Sequence, residues 1–414
     1  MPRIYLKSSF TLCLVTLVGA AVAAEPDSSQ IPSRVILTWS GDPSTTQNVT
    51  WRTGALLDVA RAEIAPMTAN PDFAGDAKPV TATITRVELP GRLAAGHYQA
   101  SFTGLKPDSQ YCYRVGNGKI WSAWHVFRTA TSAVGPFKFL YIGDAQNDIK
   151  SLWSRAIRVA YQKAPDARFV AMAGDLVAEG YDDRLWGELS EGFGFLSTSM
   201  PLLPAPGNHD LHQADKSSSY KASPPWRQHF ALPHNGPMGI DELDQQAYYV
   251  DYQGVRFVVV DANSFDSSEK AKPAGRERIR DAQIAWLENT LKNNPNKWTV
   301  VIQHQPVFPI AHGRGFPEME KLLAPLYEKY KVALVLQGHD HSYGRMQKNG
   351  VTYIISVSGP KMYELDSIHL AKMAKTATDK QMFQVVDVTA TRLSLKAYAI
   401  DGQLVDSVDV PARH

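Results

Sequence analysis

The sequence predicts an α/β domain preceded by an all-β sandwich. Over residues 31–128, short runs alternate apolar and polar residues between turn residues, which is typical of strands in a sandwich. After Pro136, continuous apolar runs alternate with amphipathic segments, which is the pattern of an α/β domain. The chain has 414 residues. One hydrophobic core supports roughly 250 to 300, so at least two domains are expected.

Residues 1–24 form a separate element that we expect to be removed. Arg3 and Lys7 precede an apolar run at residues 10–18, and small residues follow. This is the layout of a secretory signal peptide, with cleavage after position 23 or 24. A membrane anchor is the disfavoured alternative, because the run is shorter than the roughly 18 to 20 residues of a spanning helix. We therefore expect an exported protein, periplasmic or secreted.

The net charge and the cysteine content argue against some classes of function. The chain has 43 basic and 41 acidic residues, and the two surplus basic residues lie in the predicted signal peptide, so the mature chain is neutral. A neutral protein lacks the broad basic face that binds nucleic acid polymers, and no other segment predicts membrane insertion. Removing Cys13 with the signal leaves Cys112 alone, without a disulfide partner. We expect Cys112 to be buried and structural rather than catalytic.

The all-β domain is predicted to cover residues 25–131, with about seven short strands. Its clearest strands are residues 35–39, 49–52, 98–102, 111–115 and 124–127. Strand number and spacing are typical of a fibronectin or immunoglobulin sandwich.

The α/β domain is predicted to cover residues 132–375. Its clearest elements are strands at 137–142 and 169–173 and helices at 151–162, 184–197 and 281–291. Residues 376–414 return to strands, with a hairpin signal at Asp401 and Gly402, and we expect them to pack on the α/β domain.

Five apolar strands of the α/β domain are each followed by residues of the types that bind metals. In chain order these segments are Gly143-Asp144, Gly174-Asp175, Gly207-Asn208-His209-Asp210, His304 and Gly338-His339-Asp340-His341. Open α/β sheets place their sites beyond the carboxyl ends of strands, so these side chains should converge. The glycines let the backbone turn sharply and bring the side chains close together.

The candidate ligands are too many for one tetrahedral zinc ion. Two Asp, one Asn and three His suit two metal ions about 3.5 to 4 Å apart that share one carboxylate. Such a pair provides a hydroxide near neutral pH and neutralises phosphoryl charge. The pattern therefore predicts hydrolysis of a phosphate ester by attack of a metal-bound hydroxide.

These blocks resemble those of the calcineurin-like metallophosphoesterases, and most closely those of the purple acid phosphatases. The last block, residues 338–345, is similar to the final block of those enzymes, and residues 31–54 resemble the fibronectin-like domain that precedes their catalytic domain. The resemblance implies a metallophosphoesterase sandwich, with two β-sheets flanked by helices, behind an all-β fibronectin-like domain. It also implies hydrolysis of phosphate monoesters, with diesters left open.

The resemblance implies a role for each residue. Asp175 would bridge the two metals, with Asp144 and His341 on the first and Asn208, His304 and His339 on the second. His209 would stabilise or protonate the reacting phosphate, with Asp210 fixing its ring. His312 is similar in placement to a histidine that the family aims at the substrate, with a solvated loop histidine as the equal alternative. Arg314 is a candidate phosphate contact, for which a solvated loop arginine is the favoured alternative.

The chain departs from the family pattern at the first metal. Purple acid phosphatases place a tyrosine three residues after the second block's Asp, where this chain has Ala178. The wider superfamily places a histidine two residues after the first Asp, where this chain has Gln146. Gln146, Asn147 or water would fill the position. Iron, zinc and manganese are all candidate metals, and without the tyrosine we expect a colourless protein with less preference for ferric iron.

The alternative function is of another class: an extracellular binding protein that uses the β-sandwich and carries a degenerate metal domain. The ligand set argues against it, because a decayed site should not keep all six residues. The sequence leaves open which small or modest-sized phosphoester is the substrate. It also leaves the oligomeric state open.

Overall fold

The computed structural model describes residues 28–88, 95–211, 222–266 and 275–412. The predicted signal peptide lies outside them. None of the helices in these ranges is long and apolar enough to cross a membrane.

An all-β unit comes first, as predicted. Its strands are β1 (Ser33–Thr38), β2 (Gln47–Thr53), β3 (Arg61–Pro66), β4 (Lys78–Thr81), β5 (Thr83–Val87), β6 (Ala95–Phe102), β7 (Gln110–Gly116) and β8 (His125–Arg128). They form two four-stranded sheets, in the orders β1-β2-β6-β5 and β4-β3-β7-β8. Trp51, Tyr98 and Tyr113 belong to the apolar core that both sheets share.

Cys112 is buried in β7, and burial raises the pKa of its thiol, in agreement with a structural role.

The rest of the chain is an α/β unit. Its strands are β9 (Phe137–Ile142), β10 (Val170–Met172), β11 (Leu202–Pro204), β12 (Tyr248–Tyr252), β13 (Val255–Val260), β14 (Trp298–Gln303), β15 (Leu334–Gln337), β16 (Tyr343–Lys348), β17 (Val351–Ile355), β18 (Lys375–Ala377), β19 (Met382–Val388), β20 (Arg392–Ala399) and β21 (Leu404–Pro411). Its helices are α1 (Ser154–Lys163), α2 (Asp183–Phe193), α3 (Leu196–Ser199), α4 (Pro224–His229), α5 (Arg276–Lys292), α6 (Pro317–Leu322), α7 (Ala324–Lys329) and α8 (Ser367–Leu370).

These strands build two sheets around one apolar core. One sheet has six strands in the order β11-β10-β9-β19-β20-β21, and the other has seven in the order β12-β13-β14-β15-β17-β16-β18. Phe139 of the first sheet and Phe257 of the second are fully buried with ring centroids 5.3 Å apart. The predicted sandwich of two sheets with helices is confirmed. Strands β19 to β21 are part of the six-stranded sheet, paired to β9 through β19.

Parallel pairing sets the position of the candidate site. Strands β9, β10 and β11 run parallel to one another, as do β13, β14, β15 and β17. The carboxyl ends of each parallel set therefore lie at one edge of its sheet. The hydroxyl of Tyr141 in β9 donates to the carbonyl of Gln337 in β15, which ties the two edges together.

Strand β1 joins the two units because its side chains alternate between two cores. Val35 and Leu37 point into the core of the all-β unit, whereas Ile36 belongs to the core of the α/β unit. Just beyond the strand, Trp39 packs against Phe169 with ring centroids 5.4 Å apart. The all-β unit is thus packed directly on the α/β unit.

Candidate metal centre

The loops that follow the strands turn sharply at the candidate ligands. The φ angles of Asp144, Asp175, His339 and His341 are 51°, 51°, 72° and 47°. Residues other than glycine enter this left-handed region at a cost and are concentrated at active sites. The loops also approach very closely, since a Cβ on Gly338 would lie 2.4 Å from Asp144 Oδ2. Only glycine fits at that position.

Two groups of side chains have Asp175 in common. One group is Asp144, Asp175 and His341, the other is Asp175, His304 and His339, and the donor atoms in each lie within 4.8 Å of one another. Asp175 Oδ2 is 3.1 Å from His304 Nε2, and Asp144 Oδ1 is 3.5 Å from His341 Nε2. The structure therefore brings together five of the six predicted ligands around one shared carboxylate.

Backbone carbonyls orient the imidazole rings. Nδ1 of His304 lies 2.7 Å from the carbonyl oxygen of Ala173, and Nδ1 of His341 lies 2.9 Å from that of Lys361. A carbonyl oxygen only accepts hydrogen bonds, so each Nδ1 carries the proton. Nε2 of each ring then faces the cluster, which is the arrangement that metal-binding histidines use.

Asn208 supplies the sixth candidate donor. Its Oδ1 is buried and accepts no hydrogen bond from any described residue. A buried acceptor without a partner costs about 1–3 kcal/mol, and a cation is a partner that removes this cost. Together with the shared carboxylate, this orphaned oxygen shows that the residues present fit a pair of metal ions.

His209 lies beside the shared carboxylate. Its backbone N–H donates to Asp175 Oδ1 at 2.9 Å, and Nδ1 of its ring donates to the carbonyl of Ala178 at 2.7 Å. The expectation that Asp210 fixes this ring is wrong. The carboxylate of Asp210 accepts hydrogen bonds from the backbone N–H groups of Leu176, Val177 and Gly207 instead. Asp210 thus holds the loops after β10 and β11 together.

Two family models match consecutive parts of this chain. The model for the purple acid phosphatase N-terminal domain matches residues 32–129, and the model for calcineurin-like phosphoesterases matches residues 137–343. The chain is a calcineurin-like phosphoesterase. The match includes all six candidate metal ligands and His209.

Several acid phosphatases are similar to this phosphoesterase in sequence or in fold. Purple acid phosphatase 1 of Ipomoea batatas is 24% identical over 62% of the chain and 54% of its own length, so the chain spans about half of that relative. Acid phosphatase type 7 of Mus musculus is 24% identical over 76% of the chain and 70% of its own length. The structure of a purple acid phosphatase from yellow lupin (Lupinus luteus) seeds matches with a TM-score of 0.74 and 17% identity, over 92% of this chain and 74% of that one. This last likeness concerns the fold.

Burial is the largest single influence on the pKa values of the phosphoesterase site. It raises the pKa of Asp144 to about 8. Burial acts in the same direction on Asp175, but the charge of His304 and the hydrogen bond to it hold the pKa of Asp175 well below its usual range. Burial also lowers the pKa of His341 to about 4, which keeps this ring neutral. Two buried carboxyls this close ionise together only beside positive charge, which bound metal cations would supply.

Gln146 lies inside the first group, whereas Asn147 does not. Nε2 of Gln146 donates to Asp175 Oδ2 at 3.0 Å and to His341 Nε2 at 3.1 Å. Oε1 of Gln146 is buried and accepts no hydrogen bond from the described residues. Asn147 and Ala178 both line an adjoining surface cleft. Of the two amides predicted to replace the missing ligand, Gln146 is therefore the one in contact with the cluster.

His312 belongs to neither group of candidate ligands. Its side chain is 79% exposed, and Nδ1 is 4.0 Å from Asp366 Oδ2. Its predicted contact with a substrate stays a prediction. Two aromatic rings that contact the cluster were not predicted from the sequence. The centroid of Tyr363 is 4.5 Å from that of His341, and the centroid of Phe316 is 5.5 Å from that of His339. Both lie on irregular loops, where no periodicity reveals contacts.

Proposed function

We propose that this phosphoesterase is an exported two-metal enzyme that hydrolyses a small or modest-sized phosphate monoester. The observation that carries the proposal is that Asp175 belongs to both groups of candidate metal ligands. A carboxylate shared in this way can bridge two ions, which is the arrangement that promotes in-line displacement at phosphorus. A panel of mono- and diesters will determine whether the protein also hydrolyses diesters.

Each residue of the proposed centre has a defined task. Asp144, His341 and the amide of Gln146 would hold the first metal, Asn208, His304 and His339 the second, and Asp175 both. When bound, two such ions supply a water of lowered pKa as nucleophile and neutralise phosphoryl charge. The carbonyls of Ala173 and Lys361 keep His304 and His341 in the tautomer that binds.

His209 is the proposed proton donor. Because the carbonyl of Ala178 occupies Nδ1, the ring is held with Nε2 as the atom that can reach a substrate. The adjacent backbone bond to Asp175 Oδ1 fixes its distance from the centre. From this position His209 would stabilise the phosphoryl oxygens or protonate the leaving alcohol.

Export is proposed from the first 24 residues. Their basic start, apolar run and small residues before the predicted cleavage site are the support for it. Mass spectrometry of the N-terminus of the protein recovered from the culture medium or periplasm tests the cleavage position.

Replacing His209 with alanine tests the proposed function. We expect kcat for a chromogenic phosphomonoester to fall by about 10²- to 10⁴-fold, because a positioned acid contributes that much. Metal content, measured by mass spectrometry, should stay at the wild-type value, since His209 is not among the proposed ligands. His234→Ala is the matched control, because this ring is exposed and paired with Asp244 outside the centre.

Two results would contradict the proposal. Wild-type protein that binds metal but hydrolyses no monoester or diester in a panel would favour the binding-protein alternative. Equal kcat values for wild type and His209→Ala would remove His209 from the reaction. A panel that includes bis-substituted esters decides between monoester and diester hydrolysis.

The iron-loaded protein is expected to be colourless. The purple colour of the family comes from a tyrosine at the position of Ala178. Gln146, whose amide contacts Asp175 and His341, would put a neutral group at the first metal instead. An absorption spectrum of the protein reconstituted with ferric iron checks this, and zinc-loaded protein is the blank. A visible tyrosinate band would refute the prediction, and Tyr363 would then be the first tyrosine to replace because it contacts His341.

A further inference from the structure

The side chain of Arg314 contacts a ring that packs against a candidate metal ligand. Arg314 lies in the loop between β14 and α6, and its side chain is only 22% exposed. The guanidinium carbon lies 4.9 Å from the ring centroid of Tyr363, the ring that contacts His341. This cation–π contact and the low exposure show that the side chain is not the solvated arginine that was the favoured alternative from the sequence.

The loop that carries Arg314 is anchored beneath it. The buried carboxylate of Asp340 accepts the backbone N–H groups of Ile310 and Ala311 through Oδ2. The backbone N–H of Arg314 donates to the carbonyl of Ala311 at 3.3 Å. Arg314 is therefore positioned by the same block, residues 338–341, that supplies two of the proposed metal ligands.

The guanidinium has an edge that the described residues do not use. Nη1 is buried and makes no hydrogen bond to them. The Oδ1 atom of Asp340 is 3.7 Å away, which is close enough for an ion pair but beyond hydrogen-bond length. A buried N–H without an acceptor is unfavourable, and phosphoryl oxygens, like carboxylate oxygens, are acceptors that a guanidinium binds well.

The charge of Arg314 also reaches the proposed ligands. Burial raises the pKa of Asp144 and lowers that of His339, and the positive charge of Arg314 acts on both in the downward direction. Asp144 and His339 belong to different groups of the centre, so the charge of Arg314 acts on both groups. His312, two residues earlier, is turned to the surface.

We propose that Arg314, in cation–π contact with Tyr363, binds the phosphoryl group of the substrate. The proposal rests on the proposed phosphoesterase function and adds a substrate-binding residue to it. Arg314 would hold the phosphoryl oxygens from the side of the β14–α6 loop, while His209 acts from the loop after β11. A guanidinium keeps its charge at any working pH, so this contact would not titrate.

The test is binding of inorganic phosphate to the metal-loaded protein, measured by calorimetry. We expect Arg314→Ala to raise the Kd for phosphate roughly 10- to 100-fold, because hydrogen bonds to charged groups have that value. Arg314→Lys should fall between, since it keeps the charge but lacks the planar fork. Arg86→Ala, at an exposed arginine paired with Glu88, removes the same charge far from the centre and should leave the Kd unchanged. Metal content should be equal in all four proteins.

Several outcomes would overturn the proposal. Phosphate affinity equal to wild type in Arg314→Ala, or no phosphate binding by the wild type, would exclude this role. A fall in thermal stability with phosphate affinity retained would make Arg314 only the structural partner of Asp340. Loss of phosphate binding in His312→Ala but not in Arg314→Ala would assign the role to His312.

Failure of the proposed function and failure of the Arg314 inference give different results. Wild-type protein that binds phosphate through Arg314 but hydrolyses no ester would contradict the function and leave the phosphate site intact. Hydrolysis by a wild type whose Arg314→Ala variant has unchanged phosphate affinity and KM would contradict this inference alone.

Discussion

Replacing Asp175 with asparagine is expected to remove both metal ions and nearly all hydrolysis. Asp175 is the residue common to both groups, and its carboxylate is the anion nearest His304, at 3.1 Å. An asparagine has the same shape but no charge, so neither group keeps its shared anionic donor. Replacing a residue that only hydrogen-bonds to a metal ligand already weakens metal binding about 10- to 100-fold. The loss of metal affinity in Asp175→Asn should exceed that. Mass spectrometry of the protein after dialysis against a dilute chelator measures it.

Asp261→Asn is the matched control. Asp261 is also fully buried at a strand end, after β13, but its carboxylate accepts hydrogen bonds from Asn263 instead of joining either group. This variant should keep two metals per chain. Circular dichroism of both variants separates metal loss from unfolding. Retention of two tightly bound metals by Asp175→Asn would show that the centre is not built around a bridging carboxylate.

The positions of the candidate ligands could be predicted because they follow a local rule. Each ligand stands just after an apolar run, and parallel pairing alone brings such positions to one edge. Predicting Asp144 and Asp175 as neighbours required no knowledge of the tertiary structure beyond parallel strand pairing. The role of Asp210 could not be predicted in this way, since its carboxylate serves backbone groups of another loop, 34 residues earlier in one case.

The contacts of Arg314 show the same limit. Its burial depends on Tyr363 and Asp340, which reach it from separate parts of the chain. A single arginine between glycines has the sequence signature of a solvated loop, and nothing local distinguishes the two cases. Long-range packing decided its position.

Secondary structure was predicted where the pattern was strong and missed where it was weak. Strands β4 and β5 are largely exposed, so they lack the apolar alternation that identified their neighbours. The helix predicted over residues 184–197 is in fact two helices. It ends at Gly194, whose φ of 58° terminates α2 before α3 begins. A glycine after a helical run is a recognised stop signal that the prediction passed over.

Replacing Asp183 with alanine is expected to destabilise the protein by about 3–5 kcal/mol, the cost of removing one partner from a buried ion pair. Asp183 opens α2, and its side chain is only 6% exposed. Arg34 and Arg52 of the all-β unit bind it at 2.6 and 3.0 Å. The variant would leave two arginines at the contact between the units without their carboxylate. Urea unfolding of both proteins measures the change.

The control for Asp183 is an exposed pair. Asp108 and Arg128 lie 2.8 Å apart with side chains 50% and 38% exposed, and Arg128→Ala should cost at most about 1 kcal/mol. A loss below that value for Asp183→Ala would contradict the prediction. It would mean that the apolar contacts of β1, such as Trp39 against Phe169, hold the two units together without help from the ion pair.

The pH dependence of the Asp183 effect follows from its surroundings. Burial alone would raise the pKa of Asp183, but the hydrogen bond and charge of Arg34, with the charge of Arg52, lower it below the usual value. A lowered pKa in the folded state gives stability that is complete above the unfolded-state pKa and is lost as pH falls through the folded-state pKa. The difference in unfolding free energy between wild type and Asp183→Ala should therefore be constant near neutral pH and shrink in acid. A difference that grew as the pH fell would show that the arginines do not hold Asp183 in its charged form.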